Sequence, residues 1–402
     1  IKNSAICFTL GVSVGDVNND GWPDIFTGND FFEKDRLYLN NRDGTFEEVS
    51  LESFGHISQF SMGSDMADLN NDGLIDIVAV DMTAKDNYTN KTSMSGMNEK
   101  KFNSIVALGL HHQYMNNVLQ MNNGVDPTTG FPLFSDIAQL SGVSSTDWSW
   151  SPLIFDMDND GDLDLVWGSK TLDWIKDWDQ WKTVPGCWRK VGSSWVKKST
   201  CNGVFSGILY NDGKGNFNQR GFEFPDLKNS NGFTYQSTPA MAVADLDDDG
   251  DLDVIRMHVG NLYAGAGMTV EENIGNGQFK QVFYSEFCPT PKTKEEWPTQ
   301  EGSSWNCWAS DFKFGDFNKD GLIDIYLDGH DARNSDVVDD GGIYMSIGKF
   351  TYDIINPTDK DYPLLEIKIN EYIAKVEQPR SQQEIEDELA AFEAELEAEL
   401  GE

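Results

Sequence analysis

The nine residues Asp245-Leu246-Asp247-Asp248-Asp249-Gly250-Asp251-Leu252-Asp253 carry six carboxylates. Like charges about 4 Å apart repel by roughly 4 kcal/mol at an effective dielectric of 20. A folded chain tolerates such a stretch when a cation sits among the side chains. The spacing shows how one would be held. Carboxylates at loop positions 1, 3, 5 and 9 supply side-chain oxygens. A glycine at position 6 permits a sharp turn, and the backbone carbonyl of position 7 adds a further oxygen. The pattern occurs five times: loop 1 is Asp16 to Asp24, loop 2 Asp68 to Asp76, loop 3 Asp156 to Asp164, loop 4 Asp245 to Asp253 and loop 5 Asp316 to Asp324. The starts lie 52, 88, 89 and 71 residues apart. An unchanged core at uneven intervals means one structural unit carrying insertions of different length.

Each loop leads at once into an apolar, β-prone run: Ile25-Phe26, Ile77-Val78-Ala79-Val80, Leu165-Val166-Trp167, Val254-Ile255 and Ile325-Tyr326-Leu327. Small and apolar residues such as Gly11–Gly15 or Met241–Ala244 precede it, so each loop reads as strand, loop, strand. A second hairpin follows in each unit, at Leu37–Phe46, Ile208–Phe217 and Glu272–Phe279, and in weaker form at Val118–Gly124 and Ile343–Phe350. Asparagine and glycine there are expected to supply the positive φ of tight hairpin turns. Two hairpins make a four-stranded antiparallel sheet, and such sheets in series read as a propeller. The expected fold is all-β: a β-propeller of four-stranded antiparallel blades, five of them recognisable, over residues 1–355. Insertions fall at 86–117, where Lys100–Gly109 reads as helix, at 168–206 and at 284–309. Residues 356–402 read as a linker and an acidic amphipathic α-helix. In that tail Leu365, Ile367 and Ile369 alternate as in a short strand, and Ile385, Leu389, Phe392, Leu396 and Leu400 form one apolar stripe. An isolated helix of that length is marginal in water. Its stripe can dock on the propeller or on a second copy, or stay frayed.

Asp and Asn side chains are hard oxygen donors, which favour calcium or magnesium over zinc or copper. A loop offering five protein ligands leaves little room for the waters magnesium keeps, so calcium is the expected ion, at about five sites. The expected ligands are Asp16, Asn18, Asp20, Trp22 and Asp24 in loop 1, and Asp68, Asn70, Asp72, Leu74 and Asp76 in loop 2. Loop 3 offers Asp156, Asp158, Asp160, Asp162 and Asp164, and loop 4 Asp245, Asp247, Asp249, Asp251 and Asp253. Loop 5 offers Asp316, Asn318, Asp320, Leu322 and Asp324. Position 7 contributes its backbone carbonyl in each. An EF-hand would need a bidentate Glu at position 12. That position holds Thr27, Ala79, Trp167, Arg256 and Leu327, between strands rather than helices. A metal-free Asp/Gly turn explains one copy but not five at fixed internal spacing. Such ions stabilise the fold, because their binding becomes folding energy.

Acids outnumber bases 67 to 30, for a net charge of −37, which argues against nucleic acid as a partner. Aromatic residues at 12% argue against disorder as the source of that acidity. Cys187 and Cys201 bracket one short segment, and Cys288 and Cys307 another, with Cys7 left over. Local pairs suit disulfides in an oxidising compartment; buried reduced thiols are the alternative. No apolar run approaches a membrane span. The sequons at Asn87 and Asn90 and a start at Ile1 rather than Met fit a secreted or cell-surface protein whose leader was removed, or a chain whose start is missing.

The loops with their flanks resemble FG-GAP or VCBS repeats, the calcium-binding repeats of integrin α-subunit propellers and of many secreted bacterial proteins. Gly15–Phe26 carries the signature, and the other four copies match it. Phe60–Asp68 and Thr146–Ser151 look most like the bacterial secreted VCBS proteins, with a more distant similarity to the cartilage acidic protein group. The resemblance spans roughly residues 10–350. It implies a calcium propeller, usually of seven blades. Five loops then mean that N-terminal blades are missing or that a blade lacks its loop. It also implies ligands at positions 1, 3, 5, 7 and 9, which every copy matches.

Function lives on sites grafted to such a scaffold. The expected role is an extracellular binding or adhesion module for a protein or glycan ligand. The alternative is a carbohydrate-active enzyme, such as the polysaccharide lyases that similar propellers include. Arg256 and His258, two apart on one strand, are the best catalytic fragment, with simple packing as their other reading. His111-His112 lie in the insertion read as helix, where neighbours face different sides. Trp174, Trp178 and Trp181 share a helical face that either binds ligand or packs the insertion. Trp188 and Trp195 lie between the first two paired cysteines. No serine-triad, zinc or phosphate-loop motif is present.

Overall fold

The computed structural model describes residues 8–30, 33–84, 99–146, 148–169, 188–191, 194–197, 207–218, 240–259, 266–288, 307–317, 320, 322–331, 342–348 and 351–355. Every loop joins two antiparallel strands, and five four-stranded antiparallel sheets follow one another along the chain. Sheet 1 holds β1 (Phe8–Gly15), β2 (Asp24–Asp30), β3 (Arg36–Asn40) and β4 (Phe46–Glu48). Sheet 2 holds β6 (Gly63–Ala67), β7 (Asp76–Val80), β9 (Val118–Val125) and β10 (Pro132–Asp136). Between these, β5 (Ile57–Ser58) and β8 (Gln113–Tyr114) pair in parallel. Sheet 3 holds β11 (Ser149–Phe155), β12 (Asp164–Ser169), β15 (Gly207–Asn211) and β16 (Phe217–Asn218), with a separate ribbon of β13 (Trp188–Val191) and β14 (Ser194–Lys197). Sheet 4 holds β17 (Ala240–Ala244), β18 (Asp253–Val259), β19 (Ala266–Asn273) and β20 (Phe279–Cys288). Sheet 5 holds β21 (Cys307–Gly315), β22 (Asp324–Asp331), β23 (Gly342–Gly348) and β24 (Thr351–Ile355).

The register is the same in all five sheets. The position-9 aspartate pairs with the residue just before position 1, as Gly15↔Asp24, Ala67↔Asp76, Phe155↔Asp164, Ala244↔Asp253 and Gly315↔Asp324. The five loops therefore sit at the same end of their sheets. Strands β20 and β21 run into both ends of segment 284–309.

The core lies between sheets. Side chains alternate across a strand, so Ile77 and Ala79 pack with Phe26 and Leu37 of sheet 1, while Val78 and Val80 pack with Leu165 and Trp167 of sheet 3. Val166 and Tyr210 meet Val254 and Met241, and Ile255 and Met257 meet Phe312 and Ile325. Second strands are thus buried on both faces, which is why the run after each loop is continuously apolar rather than alternating. Fully burying such a Val, Ile or Leu contributes roughly 1.5–3 kcal/mol.

The first strands of successive sheets lie side by side, β1 next to β6, β6 next to β11, β11 next to β17 and β17 next to β21. That approach is close. A methyl added at Gly63 would collide with the Trp150 backbone, and one at Gly11 would stand 2.8 Å from the Ser64 nitrogen. The arrangement is propeller-like, and a closed ring is not seen among the described residues. No helix among them is long and apolar enough to cross a membrane.

Candidate cation site

The loops hold their carboxylates in one arrangement. The position-1 aspartate accepts from the position-5 N–H, as Asp20 N to Asp16 Oδ1 at 3.0 Å and Asp249 N to Asp245 Oδ1 at 3.1 Å. In loops 1 to 4 its second oxygen accepts from the position-6 glycine, at 2.7–3.0 Å. That glycine has φ between +85° and +95° in these loops, a conformation other residues adopt at a cost. The position-5 aspartate accepts from the position-7 N–H in all five, for example Trp22 N to Asp20 Oδ1 at 2.9 Å and Leu322 N to Asp320 Oδ1 at 2.9 Å.

The position-9 aspartates Asp24, Asp76, Asp164, Asp253 and Asp324 are buried, at most 1% exposed, and so shut off from water. In each, Oδ2 accepts the position-2 N–H at 2.9–3.2 Å. In sheets 1 to 4, Oδ1 accepts a third-strand N–H, from Asn40, Asn122, Asn211 or Asn273, at 2.8–2.9 Å. Burial pushes Asp24 and Asp76 up to about 6 and Asp164 and Asp253 up to about 7. The backbone hydrogen bonds oppose that rise, and the neighbouring loop carboxylates add to it.

In loop 3 the oxygens of Asp156, Asp158 and Asp164 converge within 4.8 Å of one another, and in loop 4 those of Asp245, Asp247 and Asp249 do so. Loops 1 and 2 have Asn18 and Asn70 at position 3, and their amide groups donate to the position-5 carboxylate at 3.2 and 3.0 Å. The protein's own cation already approaches loop 1, where Arg42 Nη2 stands 2.9 Å from Asp20 Oδ2. A set of hard oxygens, buried carboxylates reluctant to ionise and a guanidinium drawn to the rim fits a hard divalent ion. In loop 5, Asp316, Asp320, Leu322 and Asp324 are described, and Asn318 lies outside the described residues.

Four side chains that organise the loops are read from the sequence only as turn formers. Asn40, Asn211 and Asn273 end their third strands and Asn122 holds the matching register position within β9; positive φ falls instead on Arg42, Gly124, Gly213 and Gly275 nearby. The asparagine side chains work in two directions. Their Oδ1 accepts a turn N–H, as Gly124 N to Asn122 at 2.9 Å and Gly275 N to Asn273 at 3.0 Å. Their Nδ2 donates to loop carbonyls, as Asn40 to Pro23 at 3.1 Å.

Other candidates resolve differently. Arg256 is buried and forms a bidentate pair with Glu271, Nε to Oε2 at 3.0 Å and Nη2 to Oε1 at 2.7 Å. It is therefore committed within the sheet and not presented to a cleft. The side chain of His258 is outside the described part. His111 and His112 lie beyond the helix, which spans Glu99–Ala107. His111 has φ +72° and is buried, with Nε2 3.0 Å from the Phe54 carbonyl oxygen, while His112 is exposed. The chain turns sharply there, so helical periodicity does not apply. His56, not singled out by sequence, pairs through Nε2 with Asp136 Oδ2 at 2.8 Å. Trp174, Trp178, Trp181, Cys7, Cys187, Cys201 and residues 356–402 lie outside the described residues, as do the side chains of Trp188, Trp195, Cys288 and Cys307.

Residues 16–79, from the first aspartate of loop 1 to the strand after loop 2, match the FG-GAP-like repeat. The chain thus carries FG-GAP-like repeat sequence in a propeller-type array of sheets. No curated protein matches it significantly. Among solved structures, one similar chain is a lectin of Agrocybe aegerita that recognises non-reducing terminal N-acetylglucosamine. The TM-score is 0.32 at 13% identity, over 86% of this chain and 79% of that one. Another is a thermostable family-43 glycoside hydrolase, with TM-score 0.39 at 12% identity, over 88% of this chain and 96% of that one.

Proposed function

We propose that the chain is a calcium-stabilised binding module that works outside the cell, with the ions fixing the scaffold and a protein or glycan bound elsewhere on it. The observation that carries this reading is the position-9 aspartate. In sheets 1 to 4 it is buried, bound by two backbone N–H groups that join loop to third strand, and surrounded by further carboxylates. An ion there offsets like-charge repulsion and ties each loop to its sheet. Extracellular calcium modules bind at about 10⁻⁴–10⁻³ M, a range matched to calcium outside cells.

The test is a binding screen on arrayed glycans and extracellular proteins, run in millimolar calcium and again in chelator, with bound calcium counted by equilibrium dialysis. The reading expects about five calcium ions per chain and ligand capture that chelator abolishes. A chain that takes up no calcium would overturn it. Release of unsaturated sugar products from a captured glycan would replace binding with lyase chemistry.

A further inference from the structure

We infer that the loops take up cations as a coupled row, with Asn19, Asn71 and Asn159 and the bridging residues Asn122, Asn211 and Asn273 as the positioning residues that couple them. The inference rests on the calcium reading above and concerns how one site senses the next.

Two sets of contacts join neighbouring loops. The first comes from position 4. Asn19 Nδ2 donates to the Gly73 carbonyl oxygen at 3.0 Å, from loop 1 to loop 2. Asn71 Nδ2 donates to Asp162 Oδ1 at 2.9 Å, from loop 2 to loop 3. Asn159 Nδ2 donates to Asp251 Oδ1, from loop 3 to loop 4. All three run in one direction along the row. The recipients are position 6, whose N–H binds the position-1 carboxylate, and position 7, whose carbonyl is an expected ligand.

The second set comes from the third strands. Asn122 Nδ2 spans Val17 O at 2.8 Å and Ile75 O at 3.1 Å. Asn211 Nδ2 spans Leu69 O at 2.6 Å and Leu163 O at 2.9 Å. Asn273 Nδ2 spans Met157 O at 3.0 Å and Leu252 O at 3.4 Å. In each pair the first carbonyl is position 2 of one loop and the second is position 8 of the next. Positions 2 and 8 lie directly between ligands, at 1 and 3 or at 7 and 9. A cation that draws one loop's ligands inward therefore fixes one of two carbonyls on a shared amide. The other carbonyl belongs to the neighbouring site. Coupling of this kind is reciprocal.

By residue type the row changes at its last member. Position 4 of loop 4 is Asp248, whose side chain lacks the amide N–H groups that Asn19, Asn71 and Asn159 donate. The register puts Ser346 where the other sheets have asparagine, since Ile325 pairs with Tyr344 as Ile77 pairs with Gln120. A serine hydroxyl has one proton and cannot span two carbonyls as an amide does. Loop 5 is therefore expected to bind on its own.

The experiment is calcium titration of the full chain by calorimetry, with stoichiometry from equilibrium dialysis. Asp158→Ala disables loop 3. In the otherwise native chain it should also weaken calcium binding at loops 2 and 4 by about fivefold or more, the lower range of known couplings. Asn71→Gly with Asn159→Gly removes two links without strain, because φ at these positions is +58° and +57°. In that background Asp158→Ala should affect its neighbours less. Asp320→Ala in loop 5 should remove one ion and leave the rest unchanged. The coupling is overturned if Asp158→Ala lowers the stoichiometry by one and leaves the remaining affinities unchanged. It is equally overturned if Asp320→Ala weakens the other loops. A native chain that binds no calcium sinks the calcium reading itself, a result distinct from binding without coupling. Circular dichroism of each variant at saturating calcium separates loss of coupling from loss of fold.

Discussion

The two ends of the sheets bury carboxylates in opposite ways. At the loop end, Asp24, Asp76, Asp164 and Asp253 are buried with further aspartates crowded round them. At the other end, Asp35 and Asp81 are equally buried but have no such crowd. Asp35 accepts from Asn29 N and meets Ser61 Oγ, both at 2.8 Å. Asp81 Oδ2 accepts from Ser58 Oγ at 2.6 Å and from Phe60 N at 3.1 Å. Burial pushes Asp35 up to about 8, with the Asp81 charge adding to it, so at neutral pH Asp35 keeps its proton. One end answers a buried acid with a proton and hydroxyls. The other crowds several acids together, and it is there that the proposed divalent ion would sit.

The contrast can be broken at several strengths. The largest effect is expected from removing the ion. On the proposed reading, at a calcium concentration tenfold above the dissociation constant each site would contribute about 1.4 kcal/mol, so chelator should lower the melting temperature sharply and millimolar calcium should restore it. A melting curve that chelator leaves in place would erase the distinction between the two ends. Next comes Asp164→Ala, which deprives Met157 N and Asn211 N of their acceptor. Each orphaned buried group costs about 1–3 kcal/mol, and urea unfolding in calcium should show the loss.

A pH series sharpens the comparison further. The unfolded chain releases the Asp35 proton near pH 4, whereas the folded chain holds it to about 8. Between those values the folded state binds more protons, so stability falls as pH rises. The contribution is whole below about pH 4 and lost as pH climbs through 8. In chelator the loop aspartates slope the same way, up to about 6 to 7. Calcium favours their ionised form and should cancel that part alone. Thermal melts from acid to mildly basic pH, with and without calcium, separate the two ends. The smallest effect is expected for Asp35→Asn, within about 1 kcal/mol at neutral pH, because an amide replaces a carboxyl already uncharged. It should also flatten the slope that persists in calcium above about pH 6, leaving the part below it that Asp81, raised by burial to about 6, still supplies.

What the sequence reveals follows from how local each cause is. A nine-residue loop contains its own chemistry, so all five loops and the strands beside them are legible, and so are the second hairpins. The joints are not. Asn122 acts on a carbonyl 105 residues away, and Asn211 on one 142 residues away. Nothing near them in sequence separates that role from ordinary turn chemistry. The helix is foreseen to within two residues, and Gly109 at φ +75° closes it, so His111 and His112 fall past its end; only the second left-handed residue, His111 itself, carries no glycine or proline signal. The pairing of Arg256 with Glu271 needs two strands brought side by side, which strand periodicity alone does not specify.

The shared asparagine has a consequence for how such an array can be lengthened or recombined. Because each of Asn122, Asn211 and Asn273 serves its own loop and the one before, a sheet cut out alone leaves an amide without half its work. Sheet 1 shows what that looks like, for Asn40 holds the Pro23 carbonyl with no earlier loop beside it among the described residues. A graft that respects the joint would carry a loop from one sheet together with the third strand of the following sheet. The natural module for exchange is thus staggered against the visible sheet, in the way bricks overlap across a course.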